Sequence, residues 1–117
     1  MRWQKLRFFF RKITTQDIDA AIAAVDQNSD WNHVLWLCDR YLSRNPESVP
    51  VVLTRARCYQ AMNRPQAFKG QVSLAVALDD TFVPALYQQA GIYIEEKRIA
   101  EALSLIELIK DHPATRD

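Results

Sequence analysis

Slid against itself by 34 residues, the chain aligns Ala56 with Ala90 and Tyr59 with Tyr93, and it brings the turn-forming stretches around Ser29, Asn63 and Lys97 into one register. Pro46 falls on Asp80 and on Ala114, the latter beside Pro113. A fixed period of this length limits the fold more than any other feature of the sequence, because each unit is too small to bury its own apolar face and has to stack on its neighbours. Units of 15–48, 49–82 and 83–116 account for all of the 117 residues except the first 14 and the last. The expected organisation is a segment 1–14 followed by one repeat domain, 15–117. The length agrees, since two independent cores in a chain of this size would each be marginal.

Each unit reads as two helices. In the first, Ile18, Ala21, Ile22 and Val25 recur at helical spacing over 15–27, and Thr14 with Asp17 three residues on forms a capping-box pair. Asn28 and Ser29 break that helix and Asp30 caps the next, whose stripe is Trp31, Val34, Leu35, Cys38, Tyr41 and Leu42 before Pro46 stops it. The second unit has Ser48 as its cap, Pro50 in the first turn, and a stripe of Val52, Ala56 and Tyr59. After a turn at Asn63 and Arg64, Pro65 opens a helix carrying Phe68, Val72, Ala75, Val76 and Leu78. The third unit offers Thr81 as cap, then Leu86, Ala90 and Tyr93, a polar turn over 95–98, and Ile99, Ala102, Leu103, Ile106 and Ile109 before Pro113. Strand-like alternation is absent. The reading is all-α: six short antiparallel helices stacked as hairpins, with a further helix expected in the N-terminal segment.

These residues resemble the tetratricopeptide repeat family, over about 100 of the 117 residues. The family's 34-residue unit has a small residue and a tyrosine in its first helix and an alanine in its second. The third unit is the nearest, with Leu86, Ala90, Tyr93 and Ala102 in the family slots and Ile106 in place of an aromatic. The second keeps Ala56, Tyr59 and Ala75 but has Phe68 in a small slot, and the first keeps Trp31 and Pro46 with Ile22 and Val34 where small residues are usual. The resemblance implies an α-solenoid of three helix-turn-helix hairpins, curled so that the first helix of each unit lines a concave face that holds a peptide of a partner protein. Carried onto this chain, that face is Asp19, Ala23 and Asp26, then Leu53, Arg57 and Gln60, then Tyr87, Gly91 and Ile94. Relatives that grip the C-terminal carboxylate of heat-shock chaperones use lysine and asparagine in these slots. Asp19, Ala23 and Thr54 stand there instead, and Asp19 with Asp26 would repel a carboxylate. The expected ligand is a peptide with an apolar anchor near Leu53, Tyr87 and Ile94 and a basic residue near the aspartates. Gly91, costly inside a helix by ~1 kcal/mol relative to alanine, is expected to mark a close approach of a ligand or a neighbouring helix.

The net charge of +1 gives no whole-chain electrostatic case for a nucleic-acid partner, and no RNA-binding motif is present. Locally the charge is uneven. Arg2, Lys5, Arg7, Arg11 and Lys12 fall within twelve residues free of acids, leaving ten cations against fourteen acids in the remainder. Trp3, Leu6, Phe8, Phe9 and Phe10 interleave with them, and Trp3, Leu6, Phe10 and Ile13 follow one helical stripe with Phe9 beside it. Three readings compete for this segment: a helix capping the first repeat, a peripheral membrane contact with anionic headgroups, or docking onto a partner or a second copy of the chain. At the other end only four residues follow Pro113, and no polar helix covers Leu103 and Ile106.

Catalytic groups are not evident. His33 and His112 lack cysteines or carboxylates at metal-ligand spacing, and Gly70 with Gly91 cannot make a phosphate loop. Asp79–Asp80 and Glu95–Glu96 read as solvated turns, and Cys38 and Cys58 as reduced, buried thiols of a cytoplasmic protein. No apolar run approaches the ~20 residues of a membrane span. The expectation is a non-catalytic module without metal or cofactor, an adaptor or chaperone holding a partner peptide. By family analogy it would serve in assembling a bacterial secretion or envelope complex. The alternative is a structural subunit of a larger assembly, attached through its N-terminal segment and its open C-terminal end.

Overall fold

A computed structural model describes residues 11–113. The parts of the N-terminal segment expected to dock or meet a membrane at Arg2, Trp3, Lys5, Leu6, Arg7, Phe9 and Phe10 lie outside the described residues. Within them the chain is all-helical: α1 (Thr15–Asn28), α2 (Trp31–Arg44), α3 (Val49–Ala61), α4 (Pro65–Leu78), α5 (Val83–Glu95) and α6 (Ile99–Asp111). Odd-numbered helices begin at 15, 49 and 83 and even-numbered ones at 31, 65 and 99, so both sets of starts repeat every 34 residues. Among the described residues, no helix is long and apolar enough to cross a membrane.

The turns inside each pair show how the sequence enforces this spacing. Among the described residues, Ser29, Asn63 and Lys97 are the non-glycine residues with positive φ, at 52°, 59° and 61°. A left-handed residue just past a helix end reverses the chain and lets later amides reach back to otherwise unpaired carbonyls. After α3 the Arg64 amide donates to the Tyr59 carbonyl at 2.9 Å, and after α5 the Arg98 amide donates to the Tyr93 carbonyl at 2.8 Å. In each, the arginine also lies over the ring of that tyrosine, at 5.8 Å for Arg64 and 4.5 Å for Arg98. The first turn reaches the same geometry by other means. The Ser29 amide bonds the Val25 carbonyl, and the Asn28 side chain accepts the Asp30 amide at 2.9 Å.

Helix starts follow the sequence in part. Thr14 and Asp17 make the full capping box, and Asp30 accepts the His33 amide at 3.1 Å. Pro50, Pro65 and Pro84 occupy first turns, where their missing amide hydrogen is not needed. Ser48 sits at the N-cap of α3 without a side-chain bond to the helix. Thr81 is not the cap of α5. Phe82 holds that position, and Thr81 donates both its amide and its hydroxyl to Asp79 at 2.9 and 2.7 Å, because the nearer carboxylate outcompetes the helix for a short polar side chain.

Substantial contacts run between helices consecutive in the chain. The main core is built from α1 to α3, with Ile13, Ile18, Val34, Leu37, Cys38, Val52 and Cys58 buried, and it extends to Ala75 and Ala85. Each fully buried leucine or valine contributes ~1.5–3 kcal/mol. A smaller cluster of Ala56, Val72 and Ile92 joins α3, α4 and α5, and Phe68 packs against it, the small Ala56 leaving room for the bulk in a normally small slot. Burial is unequal along the chain. Among the described residues, the large hydrophobic side chains that remain exposed, Leu74, Tyr87, Ile94, Ile99, Leu103, Ile106 and Leu108, all lie on α4 to α6. Gly91 marks no close approach, since a Cβ built there meets nothing within 4 Å.

Candidate functional site

Leu53, Arg57 and Gln60 are spaced i, i+4, i+7 and so share one face of α3. That face opens into a cavity of about 370 Å³, with Thr54 and Ala56 also on its α3 wall, Phe68 of α4 at its base, and Pro84 and Gln88 of α5 opposite. A smaller cavity of about 140 Å³ shares Gln60 and Phe68 and continues past Asn63, Arg64, Pro65 and Lys69 to Glu95. Both lie between α3 and α5, with Gln60 of α3 and Phe68 of α4 in the walls of each, and are together termed the groove.

The groove has walls of mixed polarity. Leu53, Phe68 and Pro84 supply the apolar contacts, while Thr54, Gln60 and Gln88 supply hydrogen-bonding groups. The Arg57 guanidinium lies over the Trp31 ring at 5.4 Å, which holds a long side chain in one orientation at the groove wall. Arg55, one residue from Thr54, faces away, donating to Gln71 at 2.7 Å and Asp39 at 3.1 Å, and so ties α3 to α4 and α2. Lys69 pairs with Glu96 at 3.1 Å, linking α4 to the end of α5. Arg57 and Arg64 therefore line the two cavities against one acid, Glu95, while the charge of Lys69 is already met by Glu96.

Of the nine residues that the repeat pattern assigns to a concave face, Leu53, Arg57 and Gln60 are brought together in this cavity. Tyr87, Gly91 and Ile94 stand 34 residues further on, exposed on α5 and outside the cavity lining. Asp19, Ala23 and Asp26 are exposed on α1 and are likewise not among its walls. Sequence reasoning placed Thr54 in these slots without giving it a contact, and missed Ala56, Phe68, Pro84 and Gln88. A signal was available for two of them, because Gln88 stands 34 residues after Thr54, and Pro84 lies one turn before it on the α5 face turned towards α3.

At the N-terminal end, Lys12 is exposed, but Arg11 is held by a structural contact. Its guanidinium donates two bonds to Asp17 at 3.0 and 2.8 Å, and the same carboxylate accepts the Thr14 amide at 2.8 Å. The Arg11 bond and the Thr14 donors hold the Asp17 carboxyl below the usual carboxylate range. Cys38 and Cys58 are buried and neither forms a disulfide. A hydrogen bond with Cys58 and burial together push the Cys38 thiol up. Among the described residues, no three His, Cys, Asp or Glu side chains are grouped as a metal ion would require. Comparison with family models, with curated proteins and with solved structures finds no match to this chain.

Proposed function

We propose that the chain is a small tetratricopeptide-like solenoid of three hairpins that works as a peptide-binding adaptor or chaperone, without catalysis of its own. The observation that carries this reading is the groove between α3 and α5, a cavity of about 370 Å³ whose walls mix apolar side chains with an oriented arginine and amide side chains. Such a site suits an extended segment, with one apolar side chain entering beside Leu53 and Phe68 and its backbone meeting Gln60 and Gln88. The cation excess from Arg57 and Arg64 over Glu95 favours an acidic residue next to that anchor. This preference differs from the basic residue expected from Asp19 and Asp26, which stand outside the cavity.

The repeating helix starts and the three left-handed turns at one spacing support the solenoid. A second reading, a structural subunit of a larger assembly, is favoured by the exposed Ile99, Leu103, Ile106 and Leu108 on α6.

The test is a peptide array probed with the full chain and with the Leu53→Glu and Arg57→Ala variants. The adaptor reading expects retained peptides to share an apolar residue beside an acid, with binding lost in Leu53→Glu and weakened in Arg57→Ala, a change worth ~1.5–3 kcal/mol for a charge-assisted bond. Peptides that bind Leu53→Glu as well as the unaltered chain, or an array that retains none, would refute it.

A further inference from the structure

The two ends of this molecule differ in a complementary way. On α6, Ile99, Leu103 and Ile106 fall at i, i+4, i+7 and make one stripe, 52%, 57% and 40% exposed. Their counterparts one unit earlier are instructive. The position of Ile106 is taken by Val72 on α4 and by Cys38 on α2, and both are 0% exposed. Val72 is packed with Ile92 of α5, the helix that follows it. At this one position the earlier hairpins are covered and α6 is open. At the positions of Ile99 and Leu103, α4 carries the exposed Pro65 and the 28% exposed Lys69 and α2 the half-buried Trp31 and Leu35, so α6 is where an apolar stripe is left most exposed. Glu107 and Asp111 flank the stripe on the side away from the core, and Lys110 closes its end.

The occupant has to be a short amphipathic segment with an apolar stripe and cations beside it. Residues 1–10 have that composition: Trp3, Leu6 and Phe10 recur at helical spacing, with Arg2 before them and Lys5 and Arg7 between them. As a helix, ten residues span ~15 Å, against ~11 Å from Ile99 to Ile106. The segment joins the body at the first helix of the series, and α6 is the last. Arg11 is anchored on Asp17 at the first hairpin, the helices contact one another in chain order, and the body is 48 Å long. We infer that residues 1–10 of one copy dock on the Ile99–Leu103–Ile106 face of a second copy, so that the chain associates head to tail. This is a heterologous contact, which propagates unless the geometry closes a ring. The face is small compared with the ~1,200 Å² of stable complexes, so single contacts are weak and the association is concentration-dependent. The inference does not depend on the groove between α3 and α5.

Sedimentation velocity of the full chain across a concentration series tests it, with two variants that disable opposite ends. Leu103→Glu alters an exposed position and blocks the face, while Trp3→Glu blocks the segment. The full chain is expected to self-associate, less so in high salt. Either variant alone weakens this by at least about 30-fold, the loss of one central contact. Mixed in equal amounts, the two restore a 1:1 dimer that grows no further, because each supplies the end the other lacks. Three results would overturn the inference. The full chain could stay monomeric throughout the series. Trp3→Glu could associate as the unaltered chain does, which would mean that the face pairs with itself. The mixture could remain monomeric while the full chain associates.

Discussion

Replacing Lys97 by glycine should stabilise the protein, and the sign of the effect reports directly on the hairpin. Lys97 has φ 61° between α5 and α6, with its amide donating to the Ile94 carbonyl at 3.0 Å and the next amide reaching Tyr93. A left-handed conformation costs an ordinary residue ~1–2 kcal/mol, which glycine does not incur. Glycine in turn loses more freedom on folding, about 0.4–1 kcal/mol relative to alanine. The difference leaves a gain of about 0.5–1 kcal/mol, or ~2–8 °C in Tm for a chain of this size. Were residues 83–111 one continuous helix, the same substitution would destabilise by about 1 kcal/mol, as glycine does in any helix interior. Urea denaturation of the two proteins with a common m-value reads this difference. A loss of stability in Lys97→Gly would refute the turn assignment and, with it, the equivalence of the three turns. Asn63→Gly should gain less, because asparagine already tolerates this conformation.

Gly91→Ala and Gly70→Ala should each stabilise by about 0.5–1 kcal/mol in the same denaturation assay, since a Cβ meets nothing within 4 Å at either position. Asp17→Asn should cost ~1–2 kcal/mol at neutral pH through the lost cap and Arg11 contact. With its folded-state pKa depressed, Asp17 contributes stability that is present above the unfolded carboxylate pKa and lost as pH falls through the folded value. Denaturation curves across the acid range should therefore converge for the two proteins at the lowest pH. Cys38 and Cys58 should react with an aromatic disulfide reagent only when the protein is unfolded, because both are buried and the Cys38 pKa is raised. Rapid labelling of either thiol in buffer would contradict that placement.

Much of the helical framework was legible because its determinants are local. Prolines in first turns, the Thr14–Asp17 box and the Asp30 cap act within a few residues, so spacing alone located most starts. Thr81 misled because Asp79, two residues away, competes for its donors, and sequence does not rank the two bonds. The groove was legible only on its α3 wall. Leu53, Arg57 and Gln60 follow from repeat register, but the cavity also needs Phe68 in a slot usually small and the α5 face bearing Pro84 and Gln88, which depend on how neighbouring units sit together. Gly91 looked like a contact because glycine in a helix is costly, yet open space surrounds it, and nothing in the structure explains its choice. The exposed stripe of α6 was visible as Leu103 and Ile106 left without a cover.

The groove between α3 and α5 is the proposed binding place of a partner peptide. Its most direct test is an amide-resolved NMR titration of the full chain with a peptide retained by the array. The expected result is that shifts concentrate at Leu53, Arg57, Gln60, Phe68 and Gln88 and are absent in Leu53→Glu. Shifts confined to Ile99, Leu103 and Ile106, with the α3 and α5 amides unmoved, would contradict it.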